Sequence, residues 1–168
     1  MIDEEKLKRL ARMVRIPPFP GVKHSNKFVI IYVVDTSGSM SYDDLQAGLA
    51  QLQHIQKSDS DVTVIVIYAD TGICTEYDIG TNGEIDMELT GRGGTDFEPV
   101  FKHVKELESS FNRAPDILIY ATDGYAPPPV TKLGIPVVWL ITPGGRVPCA
   151  DAGHMTLQMK DYQLGESY

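Results

Sequence analysis

The side chains of this chain that could do chemistry are oxygen-bearing and stand in three short motifs. Asp35, Ser37 and Ser39 lie in Asp35-Thr36-Ser37-Gly38-Ser39, spaced by twos and turned by Gly38. Thr95 lies in the glycine-rich run Gly91-Arg92-Gly93-Gly94-Thr95-Asp96, and Asp123 in Thr122-Asp123-Gly124. Carboxylate and hydroxyl oxygens that converge on one point suit a small hard cation, Mg2+ above all, which prefers oxygen ligands and keeps several waters. The histidines offer no rival centre, because His24, His54, His103 and His154 show no ligand spacing.

Such residues need a scaffold, and the flanking sequence supplies one. Residues 28–34, Phe-Val-Ile-Ile-Tyr-Val-Val, carry no charge and are rich in β-branched and aromatic side chains. That pattern predicts a strand buried on both faces. Its end at Asp35 is the kind of sheet edge where α/β proteins bind ligands. Ser41 to Asp44 has the form of a capping box, a hydroxyl answered by a carboxylate three residues on. Leu45, Leu49, Leu52 and Ile55 then continue a helical stripe to about residue 57.

Residues 61–69 and 116–121 read as further buried strands, and 73–79 as a more polar edge strand. Residues 135–141 and 155–159 complete the set. Phe97, Val100, Phe101, Val104 and Leu107 mark a helix after the glycine loop, with a cap at Glu98 and Pro99 as its first residue. Alternation of strands and helices predicts an α/β fold, a doubly wound, mostly parallel sheet flanked by helices. If the strands ending at Asp35 and Asp123 are neighbours, all three motifs face one crevice.

The totals limit the partners. A chain of 168 residues is one domain by length, and 42% hydrophobic with 23% charged residues is ordinary globular composition. The net charge of -8 argues against nucleic acid or an anionic membrane, which need a basic surface. No run approaches a membrane span, and the start Met1-Ile2-Asp3-Glu4-Glu5 lacks a signal-peptide core. Cys74 and Cys149 read as free thiols of a reducing compartment, which places the protein in the cytoplasm. Residues 1–22 divide off as a helical arm and proline-rich linker, with Leu7, Leu10, Ala11 and Val14 on one face, and residues 23–168 form the domain.

Asp-Thr-Ser-Gly-Ser, Gly-Gly-Thr-Asp and Thr-Asp-Gly, in that order, resemble the metal-ion-dependent adhesion site of von Willebrand factor type A (VWA) domains. The runs Gly-Arg-Gly-Gly-Thr-Asp-Phe-Glu-Pro-Val-Phe and Pro-Asp-Ile-Leu-Ile-Tyr-Ala-Thr-Asp-Gly-Tyr look like one bacterial subgroup. In it a VWA-like domain stands at the C-terminus of proteins classed as metallopeptidases. The resemblance covers about residues 26–142 and implies a Rossmann-like VWA fold. It implies that the Ser37 and Ser39 hydroxyls bind Mg2+ or Mn2+ directly and that Thr95 joins directly or through water. Asp35 and Asp123 would act largely through water and hydrogen bonds. Neutral hydroxyl ligands leave positive charge on the metal, so a partner's Asp or Glu can take its open position. Relatives of this kind often work with AAA+ ATPases, as adaptors or substrate-recruiting subunits. The peptidase motif His-Glu-x-x-His is absent, so peptidase activity does not carry over and the expected role is non-catalytic.

Plainer readings stand beside these. Ser37-Gly38-Ser39 could be a polar turn, and Asp123-Gly124 a common turn pair. Thr95 with Glu98 also fits a capping box, although Pro99 argues against that start. Arg92 could meet a partner's carboxylate beside the metal or be solvated, and Tyr42, Tyr125 and Pro127-Pro128-Pro129 could form a contact rim. His54 and His103 read as surface positions. Two other functions remain open: a metal-assisted hydrolase or phosphotransferase with Asp35 as nucleophile, and a structural or assembly protein, of a phage for instance. The first lacks a phosphate-clamping lysine near the motifs.

Overall fold

The structure is a computed structural model and describes residues 28–58, 62–79, 91–111, 113–149 and 153–159. The expected arm at residues 3–14 lies outside the described residues. β1 (Phe28–Asp35) is flanked by β2 (Val62–Ala69) on one side and β4 (Ile117–Thr122) on the other. β3 (Ile73–Ile79) is the edge strand beyond β2, and β5 (Val137–Ile141) and β6 (His154–Gln158) continue beyond β4. The sheet order is therefore β3-β2-β1-β4-β5-β6. Among the described strands only β3 runs antiparallel. The chain leaves β1 in one direction to β2 and returns on its other side to β4, so a topological switch point lies between β1 and β4.

Period-2 alternation sends the side chains of β1 into two separate cores. Phe28, Ile30, Tyr32 and Val34 pack with Leu45, Leu49 and Leu52 of α1 (Tyr42–Ser58). Val29, Ile31 and Val33 pack with Val100, Phe101, Val104 and Leu107 of α2 (Glu98–Glu108). The near-continuous apolar run of β1 follows from that double burial. Each such aliphatic side chain contributes roughly 1.5–3 kcal/mol relative to exposure. On the α1 face the Tyr32 hydroxyl donates to the Gly48 carbonyl at 2.7 Å, and burial pushes its pKa up. On the α2 face Phe97 lies 5.1 Å from Tyr120 and 4.9 Å from Trp139, centroid to centroid.

The helix starts differ in how they are built. The capping box of α1 forms as its residues predict: Asp44 N–H donates to Ser41 Oγ and Ser41 N–H to the Asp44 carboxylate, both at 3.1 Å. α2 departs from the expectation of a cap at Glu98. Its cap is Phe97, with no side-chain capping bond, and Pro99 is the second helical residue. The buried Phe97 ring fixes the chain there, and Asp96 Oδ1 accepts the Glu98 N–H at 3.0 Å. Thr95 takes no part in capping. His103 is also no plain surface position: it is half-buried and pairs with Glu76 of β3.

Residues 123–136, between β4 and β5, contain no helix. Pro127 and Pro128 are exposed there but Pro129 is buried. Among the described residues no helix is long and apolar enough to cross a membrane.

Candidate metal centre

The carboxyl edge of the sheet assembles the site. β1 ends at Asp35, and its register with β4 pairs Val34 with Ala121, so Thr122 lies beside Asp35 and Asp123 one residue beyond. Asp35 is wholly buried. Its Oδ1 accepts the Ser37 N–H at 2.9 Å and its Oδ2 the Thr122 hydroxyl at 2.5 Å. Burial pushes the Asp35 pKa up. The bonds from Thr122 and Ser37 work the other way, and the nearby Asp123 charge adds to the rise. Asp35 thus turns the motif by holding its backbone.

Ser37 Oγ and Ser39 Oγ lie 3.1 Å apart. Mg–O bonds of about 2.0–2.1 Å place adjacent oxygens of an octahedron about 2.9 Å apart, so the pair fits two neighbouring ligand positions. Ser37 is buried, Ser39 exposed. Met40 N–H donates to the Ser37 carbonyl at 3.0 Å and closes the turn that leads into α1.

Thr95 is placed through its loop. The Gly38 N–H donates to the Gly93 carbonyl at 2.8 Å, and the Arg92 N–H to the Thr36 carbonyl at 2.8 Å. A Cβ on Gly38 would lie 3.1 Å from the Arg92 carbonyl oxygen, which explains the glycine between the two serines. Arg92 sits at φ 78, a left-handed conformation that is uncommon for a residue with a side chain. Its guanidinium donates to the Met40 carbonyl at 2.9 Å and so staples the serine turn to the glycine loop. The Thr95 hydroxyl is half-buried and has no hydrogen bond among the described residues.

Asp123 follows β4 directly and is buried, with its Oδ1 accepting the Tyr125 N–H at 3.2 Å. Among the described residues no Lys, Arg or His pairs with Asp35 or Asp123. The structure brings Asp35, Ser37 and Ser39 into one turn. It sets the Thr95 loop against that turn and Asp123 on the neighbouring strand end. Among the described residues no three His, Cys, Asp or Glu side chains converge as a metal-binding group.

Asp70, at the end of β2, belongs to the same edge and was not among the expected site residues. Its Oδ2 accepts the Gly93 N–H at 3.0 Å, its Oδ1 the Gly72 N–H at 3.3 Å, and its carbonyl the Asp96 N–H at 2.9 Å. Partial desolvation pushes its pKa up, but the bonds from Gly93, Cys74, Gly72 and Thr71 outweigh that and hold the carboxyl below its ordinary value. The signal was present in the sequence, since Asp70 follows a buried strand as Asp35 and Asp123 do. Thr122, within the Thr122-Asp123-Gly124 motif, supplies the hydroxyl that orients Asp35.

No curated protein matches the chain. The family described as VWA-like domain (DUF2201) matches residues 30–156, from within β1 to within β6, and the chain belongs to that family.

Proposed function

We propose that this chain is a non-catalytic, metal-dependent protein-binding module of the cytoplasm. Ser37, Ser39 and Thr95 would hold Mg2+ or Mn2+, with Asp35 and Asp123 in support. The observation that carries this reading is the Ser37–Ser39 hydroxyl pair, 3.1 Å apart, above two buried carboxylates with no basic partner among the described residues. The Asp35 carboxylate is buried beside a second carboxylate, and burial makes it costly to ionise without a compensating cation. The bound cation would supply an electrophilic point for a carboxylate from outside. The neutral hydroxyls keep its charge from being quenched, so an Asp or Glu of a partner protein can complete the shell.

The rival reading, with Asp35 as nucleophile, is less well supported. Both Asp35 carboxylate oxygens are already hydrogen-bonded, and the residue is wholly buried. Resemblance to VWA-like domains that work with AAA+ ATPases further favours an adaptor or substrate-recruiting role.

Calorimetric titration of Mg2+ and Mn2+ into wild type and Ser39→Ala tests the reading. Saturable uptake in wild type, lost in the variant with melting temperature unchanged, is the expected result. No uptake at millimolar metal in wild type would overturn it.

A further inference from the structure

The side of the site formed by the loops after β4 and β5 holds two exposed but ordered side chains, Tyr125 and Arg146. Tyr125 is 54% exposed, yet three bonds or contacts fix it. Its N–H donates to Asp123 Oδ1 at 3.2 Å, its hydroxyl to the Gly144 carbonyl at 3.2 Å, and the Arg146 guanidinium carbon lies 5.3 Å from its ring centroid. Arg146 is held in turn. Its Nε donates to the Gly124 carbonyl at 3.3 Å, and its own N–H to the Asp123 carbonyl at 2.9 Å. Val147 beside it is 52% exposed.

Exposed aromatic and arginine side chains are ordinarily mobile, and ordering them on binding costs entropy. Here the ring and the guanidinium are ordered in advance by the Gly144 and Gly124 carbonyls, and the backbone N–H groups of both residues are bonded to Asp123 of the candidate metal centre. Arg146 stands in an acidic chain of net charge -8, and no carboxylate pairs with it among the described residues. Its Nη groups therefore keep their capacity for a charge-assisted bond to a carboxylate, which a guanidinium recognises with two parallel donors.

We propose that Arg146, Tyr125 and Val147 select the segment that docks at the metal: an acidic stretch of a partner protein with a second Asp or Glu for Arg146 and an apolar residue against Tyr125 and Val147. This rests on the reading of the site as a metal-dependent module. The carboxylate on the metal supplies the anchor, and the β4–β5 side supplies the discrimination. A segment bearing Lys or Arg at the second position meets the Arg146 charge and is rejected, so one side chain provides both attraction and exclusion.

The test uses the full chain and a displayed peptide library, each peptide holding one fixed Asp among randomised neighbours. Selection is run in Mg2+ and again in chelator, and Mg2+ uptake by wild type is measured by calorimetry alongside. The expected binders depend on Mg2+ and are enriched in a second Asp or Glu next to an apolar residue. Their affinity for Arg146→Glu should fall by about tenfold or more. Selection on that variant should turn toward Lys and Arg at the second position, while Arg146→Lys should retain part of the acidic preference. Normal Mg2+ uptake with no acidic enrichment, or with equal binding to Arg146→Glu, overturns the inference alone. Absence of Mg2+ uptake by wild type overturns the reading beneath it, and the inference with it.

Discussion

On the β2 side of the candidate metal centre two loops are fastened to each other, by two backbone bonds and by the Arg92 and Asp70 side chains, whereas on the β5 side the ordered side chains of Tyr125 and Arg146 face solvent. The glycine loop lies on the serine turn through Gly38 to Gly93 and Arg92 to Thr36, and Asp70 captures the Gly93 N–H from below. Across the site, Asp123 has its own backbone bond from Arg146, but Tyr125 and Arg146 turn outward. The two sides answer different demands. Hydroxyls are weak ligands, so their positions must be fixed by the backbone before a cation arrives. A surface that meets a partner must instead offer side chains whose chemistry can discriminate.

The largest expected effect comes from Gly124, where the outward-facing side is most tightly interlocked. Gly124 has φ 79, and a Cβ there would fall 1.8 Å from the Arg146 carbonyl oxygen. Gly124→Ala combines left-handed strain with a backbone clash and should lower stability by about 3 kcal/mol or more. Gly38→Ala is its counterpart on the other side, where the nearest atom is the Arg92 carbonyl oxygen at 3.1 Å, and should cost about 1 kcal/mol. Denaturant unfolding of the two variants measures the difference. Equal midpoints would mean that the β4–β5 loops yield easily, and the contrast between the sides would be lost.

Asp70 gives the next effect. Asp70→Ala removes the acceptor of the Gly93 N–H and should cost about 1–2 kcal/mol, since a bond to a charged acceptor is lost at a half-buried position. If Asp70 acts as a latch on the glycine loop, the Gly93 amide should exchange faster with solvent and Mg2+ uptake should weaken. Asp70→Ala should add little to a Thr95→Ala variant in that uptake, because both act through the same loop. Unchanged exchange at Gly93 would show that the backbone contacts hold the loop without the carboxylate.

What could be read from the sequence was mostly local. The capping box at Ser41 and Asp44 depends on residues three apart, and it formed as written. The uncharged run of β1 and the more polar β3 report their own burial, and the sheet places them at the centre and at an edge. Pro99 as a local signal predicts a start for α2 one residue later than the structure shows. Burial of Phe97 against Tyr120 and Trp139, far off in sequence, set the start instead. His103 departs from a surface reading for a related reason: its partner Glu76 lies on β3, and the packing of α2 against the sheet joins them. Asp35, Ser37, Ser39 and Asp123 stand out because they end or follow a strand, and Thr95 because it lies in a glycine-rich run. The roles of Asp70 and Arg146 depend on which strand ends are neighbours, and one chain read alone does not carry that information.

Glu98 joins the two sides, and its contribution should be the smallest and should depend on pH. It opens α2 just beyond the glycine loop. Its carboxylate accepts the Val130 N–H at 2.7 Å, the Thr131 N–H at 3.2 Å and the Thr131 hydroxyl, so it tethers the proline-rich connection after β4. Desolvation pushes its pKa up. The Thr131 hydroxyl, the two N–H groups and the Lys102 charge outweigh that and hold it below the usual carboxylate value. A depressed folded-state pKa means that the unfolded chain binds the proton more readily. The stabilisation is then fully present above the unfolded value, about 4.3 for a glutamate, and is lost as pH falls through the lower folded value. Glu98→Gln should therefore destabilise the protein by about 1 kcal/mol at neutral pH, after allowance for solvent screening, and the gap to wild type should close in acid. Melting curves of the two proteins from neutral pH into acid check this. A gap that persists below the folded pKa would mean that Glu98 holds the connection by shape and not by charge, leaving the two sides of the site coupled only through β1 and β4.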